Sequence, residues 1–260
     1  CSVAIIDGPA LNLDPFEVAK LATEHNPMLI ALVVYGFQPS ASTQNMTAAG
    51  ETCGHIKMMM PYAKILMTGT HPAALPERTL REEACDYVAT GEGPQTIYQT
   101  WRMLKHNMGY FHVPDLCYRI GNTIMRTPSG GLLNDLDAEM PGGAWDLLPM
   151  DKYRAHNWHC FENIVERSPY VSIHTSLGCP YKCSFCCINA PFGKPSYRMW
   201  SPKTVGDEIG LLVTKYGVRN IKFVDEMFVL NKAHVLGVCD EIKKRGLEEQ
   251  VNIWAYARID

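Results

Sequence analysis

Read for hydrophobic periodicity, the chain opens as an alternation of short apolar runs and amphipathic stretches. Val3–Ile6 (V-A-I-I) reads as a strand closed by Asp7-Gly8. Pro15–His25 reads as a helix, with Asp14 placed to cap it and Pro15 in its first turn. Met28–Tyr35 is a continuous apolar run, the pattern of a strand buried on both faces. A polar loop over 36–42 leads into a helix reaching about Met60. Ala63–Met67 is the next strand, broken by Gly69. Pro76–Ala84 is a short helix, and Tyr87-Val88 a short strand running into Gly91-Glu92-Gly93. Ile97, Trp101 and Leu104 then share one helical face. This repetition predicts an α/β fold with a Rossmann-like, doubly wound parallel sheet over residues 1–107. Ligands on such sheets bind beyond the C-terminal ends of the strands. Those ends carry Tyr35-Gly36, Thr68-Gly69-Thr70-His71 and Thr90-Gly91-Glu92-Gly93, where glycine lets a large ligand approach the backbone. The pattern alone does not choose among a nucleotide, a flavin and a corrin.

The periodicity lapses over about 108–168. Asp115–Arg119 and Thr123–Arg126 flank Gly121-Asn122 and predict a hairpin. A Gly/Pro-rich passage, Ser129–Pro149, follows, with Trp145 and Leu147 as expected anchors against a domain surface. His156, His159 and Cys160 are clustered, but their spacing fits no common metal site. Alternation resumes at Tyr170–Thr175, a β-branched and aromatic strand. Ser201-Pro202 starts a helix that Gly217 stops. Asn220–Val224 is a strand ending in Asp225-Glu226. Lys232–Arg245 is a helix ending at Gly246, and Val251–Tyr256 is a third strand followed by Arg258. Over 169–260 this predicts three β/α units, the first half of a TIM-like (β/α) barrel, with functional groups at the strand C-termini.

Composition narrows the class. The chain has 260 residues, 47% of them hydrophobic, and a net charge of −3. That balance gives no case for nucleic acid or for attraction to a membrane surface. No apolar run approaches a membrane span, and no secretory signal pattern is present. Ten cysteines spread through a chain with ordinary cores favour a reducing cytosol. The sequence opens without Met directly on a strand pattern and stops just past another, so it is expected to be a fragment.

The candidate chemistry centres on Leu177–Cys187, L-G-C-P-Y-K-C-S-F-C-C. Cys179, Cys183 and Cys186 are spaced C-x3-C-x2-C, as ligands wrapping one soft metal centre. A 4Fe-4S cluster usually takes four thiolates. Three from one short loop leave an iron open to substrate or cofactor. Zinc sites usually show two ligand pairs or a closing histidine, and no second CxxC follows here. A ferredoxin calls for a fourth cysteine. Cys187, adjacent to Cys186, diverges from it in an extended loop.

This loop, with Phe185 before its last cysteine, resembles the cluster motif of radical S-adenosylmethionine enzymes. The resemblance implies a 4Fe-4S cluster on Cys179, Cys183 and Cys186, with S-adenosylmethionine on the open iron and Phe185 near its adenine. It also implies that Asp225-Glu226, standing where Gly-Gly-Glu is commoner, meets the amino group of S-adenosylmethionine, with Arg258 as a further contact. Gly69-x-His71, Ala74-Leu75-Pro76-Glu77, Asp86-Tyr87-Val88 and Gly91-Glu92-Gly93 resemble the cobalamin-binding domain that precedes the radical domain in one large subfamily. Its first strand and helix are expected upstream of Cys1. The resemblance implies cobalamin contacts at Tyr35, Gly36, Gly69, His71, Gly91, Glu92 and Gly93. No Asp-x-His-x-x-Gly occurs, so the lower face of cobalt is unassigned; His71 is weighed as a cobalt ligand against a backbone or phosphate hydrogen bond. Implied partners are a small-molecule or natural-product-like substrate and an external flavodoxin- or ferredoxin-type electron donor. The implied reaction is radical methyl transfer to an unactivated carbon, with cyclisation or oxidation as the alternative and a non-enzymatic metal-binding module as a third reading. With three strands where the family uses about six, the last one is expected to be an apolar edge prone to pairing. The 260-residue chain is therefore predicted to be poorly soluble or inactive alone. A purified monomer of it that cleaves S-adenosylmethionine would contradict this.

Overall fold

The computed structural model describes residues 2–35 and 39–257. Gly36 and Arg258, two of the expected cofactor contacts, lie outside the described residues. The chain forms two compact units: an N-terminal one of residues 12–35, 39–132 and 181–195, and a C-terminal one of residues 2–11, 133–180 and 196–257. Ser2–Asp7 has no regular structure, and Gly8–Leu11 forms one helical turn, α1. The strand expected at Val3–Ile6 is therefore absent. Val3 and Ile5 are exposed, and no described strand pairs with them. A short apolar run becomes a strand only where a sheet edge accepts it.

The N-terminal unit runs α2 (Pro15–Glu24), β1 (Ile30–Val33), α3 (Met46–Met59), β2 (Ile65–Thr68), α4 (Thr70–Ala74), α5 (Pro76–Glu82), β3 (Tyr87–Ala89), α6 (Gly93–His106), β4 (Leu116–Ile120) and β5 (Thr123–Arg126). The start of α2 follows from its sequence. Asp14 accepts from the Glu17 amide at 2.8 Å, Glu17 accepts from the Asp14 amide at 2.9 Å, and Pro15 occupies the first position. The sheet has order β1-β2-β3-β4-β5. The first three strands are parallel; β3–β4 and β4–β5 are antiparallel. The sheet is thus mixed, and its order runs in sequence without the reversal that a doubly wound sheet requires. The hairpin expected in the connector is the last two strands of this sheet, with Gly121 at φ 58° in its turn.

Alternation within the strands builds two cores. Ile65, Met67, Val88 and Cys117 face Ala19 of α2, Cys53 and Ile56 of α3 and Leu80 of α5. Leu66, Tyr87, Ala89, Leu116 and Tyr118 face Met103 of α6. Helices therefore cover both faces. Right-handed crossovers keep the β1–β2 and β2–β3 connections on one side, and α6, feeding an antiparallel strand, takes the other. β1 lies at the edge, which is why the run expected to be buried on both faces leaves Val33 exposed.

The C-terminal unit begins with a strap over 133–150 that carries α7 (Leu136–Glu139). Trp145 Nε1 donates to Glu208 at 2.9 Å, and Trp200 Nε1 donates to the Met140 carbonyl at 2.7 Å. Trp145 anchors the strap as expected, whereas Leu147 stays exposed. Then follow β6 (Tyr170–Ile173), a two-strand ribbon of β7 (Ser176–Leu177) and β8 (Arg198–Met199), α8 (Pro202–Tyr216), β9 (Asn220–Phe223), α9 (Lys232–Lys244) and β10 (Asn252–Ala255). The parallel sheet has order β10-β9-β6, and among the described residues it is open at both edges. Val171, Ile173, Ile221 and Phe223 pack on Val205, Ile209 and Leu212 of α8 and Val238 and Ile242 of α9. Ser201 caps α8, and Gly217 ends it at φ 66°. On the other face Lys222, 2% exposed, lies 5.3 Å from the Trp254 ring and 5.1 Å from that of Tyr256. His159, from the cluster with no metal spacing, packs on Tyr170 and Trp254.

One glycine pair tests the backbone reasoning. Gly69 holds φ 141°, and a Cβ there would sit 2.3 Å from the Val34 carbonyl oxygen. Gly54 in α3 has nothing within 4 Å of that position. Gly69→Ala should lower unfolding stability by about 1–3 kcal/mol, and Gly54→Ala should raise it by about 0.5–1 kcal/mol. Urea titrations of both variants check the sign and order.

Candidate functional site

The C-terminal ends of β6 and β9 leave the sheet side by side, because Ile173 pairs with Phe223 in parallel register. Thr175-Ser176 follows one strand and Asp225-Glu226 the other. Asp225 is 0% exposed. Its Oδ1 accepts from the Thr175 amide at 2.6 Å; its Oδ2 accepts from the Thr175 hydroxyl at 2.6 Å and the Ser176 hydroxyl at 2.7 Å. Bonds to a carboxylate are shorter and stronger than neutral ones. Thr175 Oγ1 also lies 2.9 Å from His234 Nε2 on α9. Asp225, expected to meet a cofactor directly, is thus turned inward and fastens two strand ends. Glu226 differs. It is half-buried, and among the described residues no cation or hydrogen-bond donor engages its carboxyl. Burial, with the Asp225 charge beside it, pushes its pKa up to about 7.

The cysteine loop leaves and returns through the β7–β8 ribbon. Gly178 holds φ 85°, and a Cβ there would meet the Ser196 carbonyl oxygen at 2.5 Å. The Ser196 amide donates to the Cys179 carbonyl at 3.3 Å. Cys179 is half-buried, and Cys183, Cys186 and Cys187 are exposed. Phe185 is 92% exposed, a large ring with no cover from the protein. Cys53, Cys85, Cys117 and Cys160 are buried. Burial pushes the Cys85 thiol up to about 12 and raises those of Cys53 and Cys117. By type and accessibility, then, the loop cysteines fit a soft-metal centre and the buried ones do not. Among the described residues no three Cys, His, Asp or Glu converge at metal-binding distance, the loop triad included. Like-charged thiolates are gathered by the metal they bind.

In the N-terminal unit the loops after β1 and β2 are tied together. The Ser42 hydroxyl donates to the Val34 carbonyl and accepts from the His71 amide at 3.0 Å, and Thr43 Oγ1 meets His71 Nδ1 at 3.0 Å. Burial, then the Arg78 charge, hold the His71 pKa below its ordinary value, so the ring is neutral. Tyr35 is exposed, and its carbonyl accepts from Asn45 Nδ2 at 2.7 Å. The three glycines are explained by the chain itself. Besides Gly69, a Cβ on Gly91 would meet Asp115 at 2.5 Å, and one on Gly93 would meet Thr68 Oγ1 at 2.6 Å. Glu92 between them is buried. Exposed Tyr35, neutral His71 and the tight Gly69 turn fit a large ligand at this edge; Gly91–Gly93 is packed. Within this unit, Ala190–Phe192 from the far end of the cysteine loop packs on α4, the helix that carries His71.

Sequence reasoning missed Thr175, Ser176 and His234. The strand end was the one signal for the first two. His234 lies 59 positions from Thr175, and no local pattern marks it beyond the Asn231 cap that accepts from its amide at 3.0 Å.

A model described as the B12 binding domain matches residues 1–99. The chain is 31% identical over 247 residues to the uncharacterized methyltransferase PH0819 of Pyrococcus horikoshii, covering 95% of this chain and 50% of that protein. It is 27% identical over 241 residues to the anaerobic magnesium-protoporphyrin IX monomethyl ester cyclase of Cereibacter sphaeroides, covering 90% of this chain and 36% of the cyclase. The chain therefore spans half of the first relative and about a third of the second. Among solved structures, the radical S-adenosylmethionine methyltransferase TsrM from Kitasatospora setae, with tryptophan and a SAM analog bound, superposes with TM-score 0.72 at 17% identity, over 98% of this chain and 48% of that one. The cobalamin-dependent S-adenosylmethionine radical enzyme OxsB with aqua-cobalamin gives 0.66 at 18% identity, over 92% and 32%. At these identities the likeness is one of fold. No helix among the described residues is long and apolar enough to cross a membrane.

The thiol environments predict a labelling order. In the native, metal-free chain a thiol reagent should modify Cys183, Cys186 and Cys187 at least about tenfold faster than Cys53 and Cys85. Peptide mapping after a short pulse checks this; comparable rates would contradict it.

Proposed function

The chain joins a B12 binding domain to a module with the radical S-adenosylmethionine fold, and from that premise we propose that it belongs to a cobalamin-dependent radical enzyme that transfers a methyl group to an unactivated carbon. The observation that carries the reading is the exposed C-x3-C-x2-C loop rooted at the C-terminal end of a parallel strand, in a chain whose first 99 residues match the B12 binding domain. Cys179, Cys183 and Cys186 hold the 4Fe-4S cluster. The chemistry supplied there is one-electron cleavage of S-adenosylmethionine to methionine and a 5′-deoxyadenosyl radical. The N-terminal unit would hold cobalamin through Tyr35, Gly36, Gly69 and His71, and cobalamin would supply a transferable methyl there.

The chain's own residues bind and orient. Phe185 offers an uncovered ring for the adenine. Glu226, with its uncommitted carboxyl, accepts from the amino group of S-adenosylmethionine, and Arg258 adds a further contact. Asp225 acts one step back, holding the strand ends from which the cysteine loop and Glu226 depart. The substrate is a small molecule or natural product. The electron donor is an external flavodoxin- or ferredoxin-type protein, and charge supports an acidic one. Between Glu166 and Asp207 the chain has no acidic residue, while Arg167, Lys182, Lys194, Arg198 and Lys203 are cationic, and Lys182 and Lys194 are exposed. Such a donor places the reaction in the cytoplasm. A second reading, radical cyclisation or oxidation without methyl transfer, is favoured by the similarity to a cyclase.

Two measurements test this. Reduced anaerobically with S-adenosylmethionine, the reconstituted full-length enzyme to which the chain is proposed to belong should form 5′-deoxyadenosine, and its Cys183→Ala variant should form none; equal yields from both would sink the reading. Calorimetry addresses Glu226. Below pH 7 its carboxyl keeps the proton and is a weak partner for an ammonium group; above pH 7 it ionises. Wild-type affinity for S-adenosylmethionine should therefore tighten from pH 6 to 8. Glu226→Gln should weaken binding about tenfold at pH 8, the loss of one charge-assisted hydrogen bond, and by much less at pH 6. A constant ratio across that range would remove Glu226 from the contact.

A further inference from the structure

Hydrogen-bond accounting at the root of the cysteine loop leaves one proton to place. Asp225, as a carboxylate, accepts only. Three donors reach it: the Thr175 amide, the Thr175 hydroxyl and the Ser176 hydroxyl. A hydroxyl has one hydrogen to give. At 2.6 Å from Asp225 Oδ2 the Thr175 oxygen spends it there, because two bare acceptors do not approach so closely. The second contact of Thr175 Oγ1, at 2.9 Å to His234 Nε2, must therefore run the other way. The nitrogen donates and the hydroxyl oxygen accepts.

We infer that His234 is a positioning residue: its Nε2–H holds the Thr175 hydroxyl onto Asp225 and so fixes the direction in which the cysteine loop leaves the sheet. The neutral tautomer that does this carries its proton on Nε2. Burial lowers the His234 pKa, with the Asp225 charge opposing, which keeps a single ring proton. The ring is itself placed by two constraints. Its amide donates to the Asn231 cap of α9 at 3.0 Å, and it packs edge-on to Phe228, 6.1 Å between centroids. The chain of contact runs from α9 through Thr175 to both strand ends, and Ser176, bonded to the same carboxylate, is the first residue of β7. Three residues later comes Cys179. The functional consequence rests on reading the loop as the cluster site; the bonding pattern does not.

The pattern is tested first on the metal-free wild-type chain with 15N-labelled histidine. The His234 ring should show the proton on Nε2 and a bare Nδ1 across pH 6.5–8. A proton on Nδ1 would overturn the inference, since Thr175 would then be donating to His234. Hydrogen exchange supplies the second readout. Gln places its side-chain nitrogen close to the imidazole Nε2 and donates, whereas Leu does not. In His234→Leu the Thr175 and Ser176 amides should exchange at least about tenfold faster, while His234→Gln should match the wild type. Equal exchange in both variants, at unchanged melting temperature, would also overturn it. Reconstituted His234→Leu should give a cluster with an altered electron paramagnetic resonance signature that His234→Gln restores. An unaltered signature would overturn the link to the loop. If no variant takes up iron, the functional reading fails while the tautomer and exchange results still decide the inference.

Discussion

The C-terminal unit depends on one buried carboxylate. Asp225 has no solvent to satisfy it, and a buried charge without partners costs several kcal/mol. The chain supplies three donors from the neighbouring strand end, two hydroxyls and an amide. That requirement fixes where Thr175 and Ser176 must lie, hence where the β7–β8 ribbon begins and from which point the cysteine loop is paid out. It also releases Glu226. With one carboxylate of the pair turned inward, the next residue carries a half-buried acid whose pKa sits near neutrality.

Much of this was legible because the signals were local. The Asp14/Pro15/Glu17 start of α2, the Ser201-Pro202 start and Gly217 end of α8, and the turn at Gly121-Asn122 each encode their own geometry within a few residues. The three parallel strands of the C-terminal unit followed from short runs rich in β-branched and aromatic residues and from the helices between them. What failed was non-local. Val3–Ile6 has strand composition but no sheet edge to join. The 116–126 hairpin was recognisable, yet its pairing with β3, which turns the first sheet from parallel to mixed, depends on residues about thirty positions away. The inward turn of Asp225 and the role of His234 were likewise hidden, because side-chain alternation stops informing once a strand ends, and the Thr175–His234 contact spans a whole β/α unit.

The glycines carry a related lesson. Gly69, Gly91 and Gly93 were read as openings for a ligand, and each is first required by the chain's own packing. The two explanations coexist at Gly69, which passes close to the Val34 carbonyl and lies beside His71 at the same edge. At Gly91–Gly93 the packing explanation suffices. The cysteine loop gives the opposite case: Gly178 is forced by its φ of 85°, while the Cys183 and Cys186 thiols and the Phe185 ring beyond it are exposed. Surface left apolar and thiols left reactive point to function.

The central claim is that two metal cofactors serve this chain, one on the cysteine loop and one on the N-terminal unit. The most direct measurement is anaerobic reconstitution of the protein with iron, sulfide and cobalamin, followed by metal analysis of the wild type and Cys179→Ala. The account predicts about four irons and one cobalt per wild-type chain, with the irons lost and the cobalt kept in the variant. Stoichiometric zinc in place of iron, or neither metal retained, would contradict it.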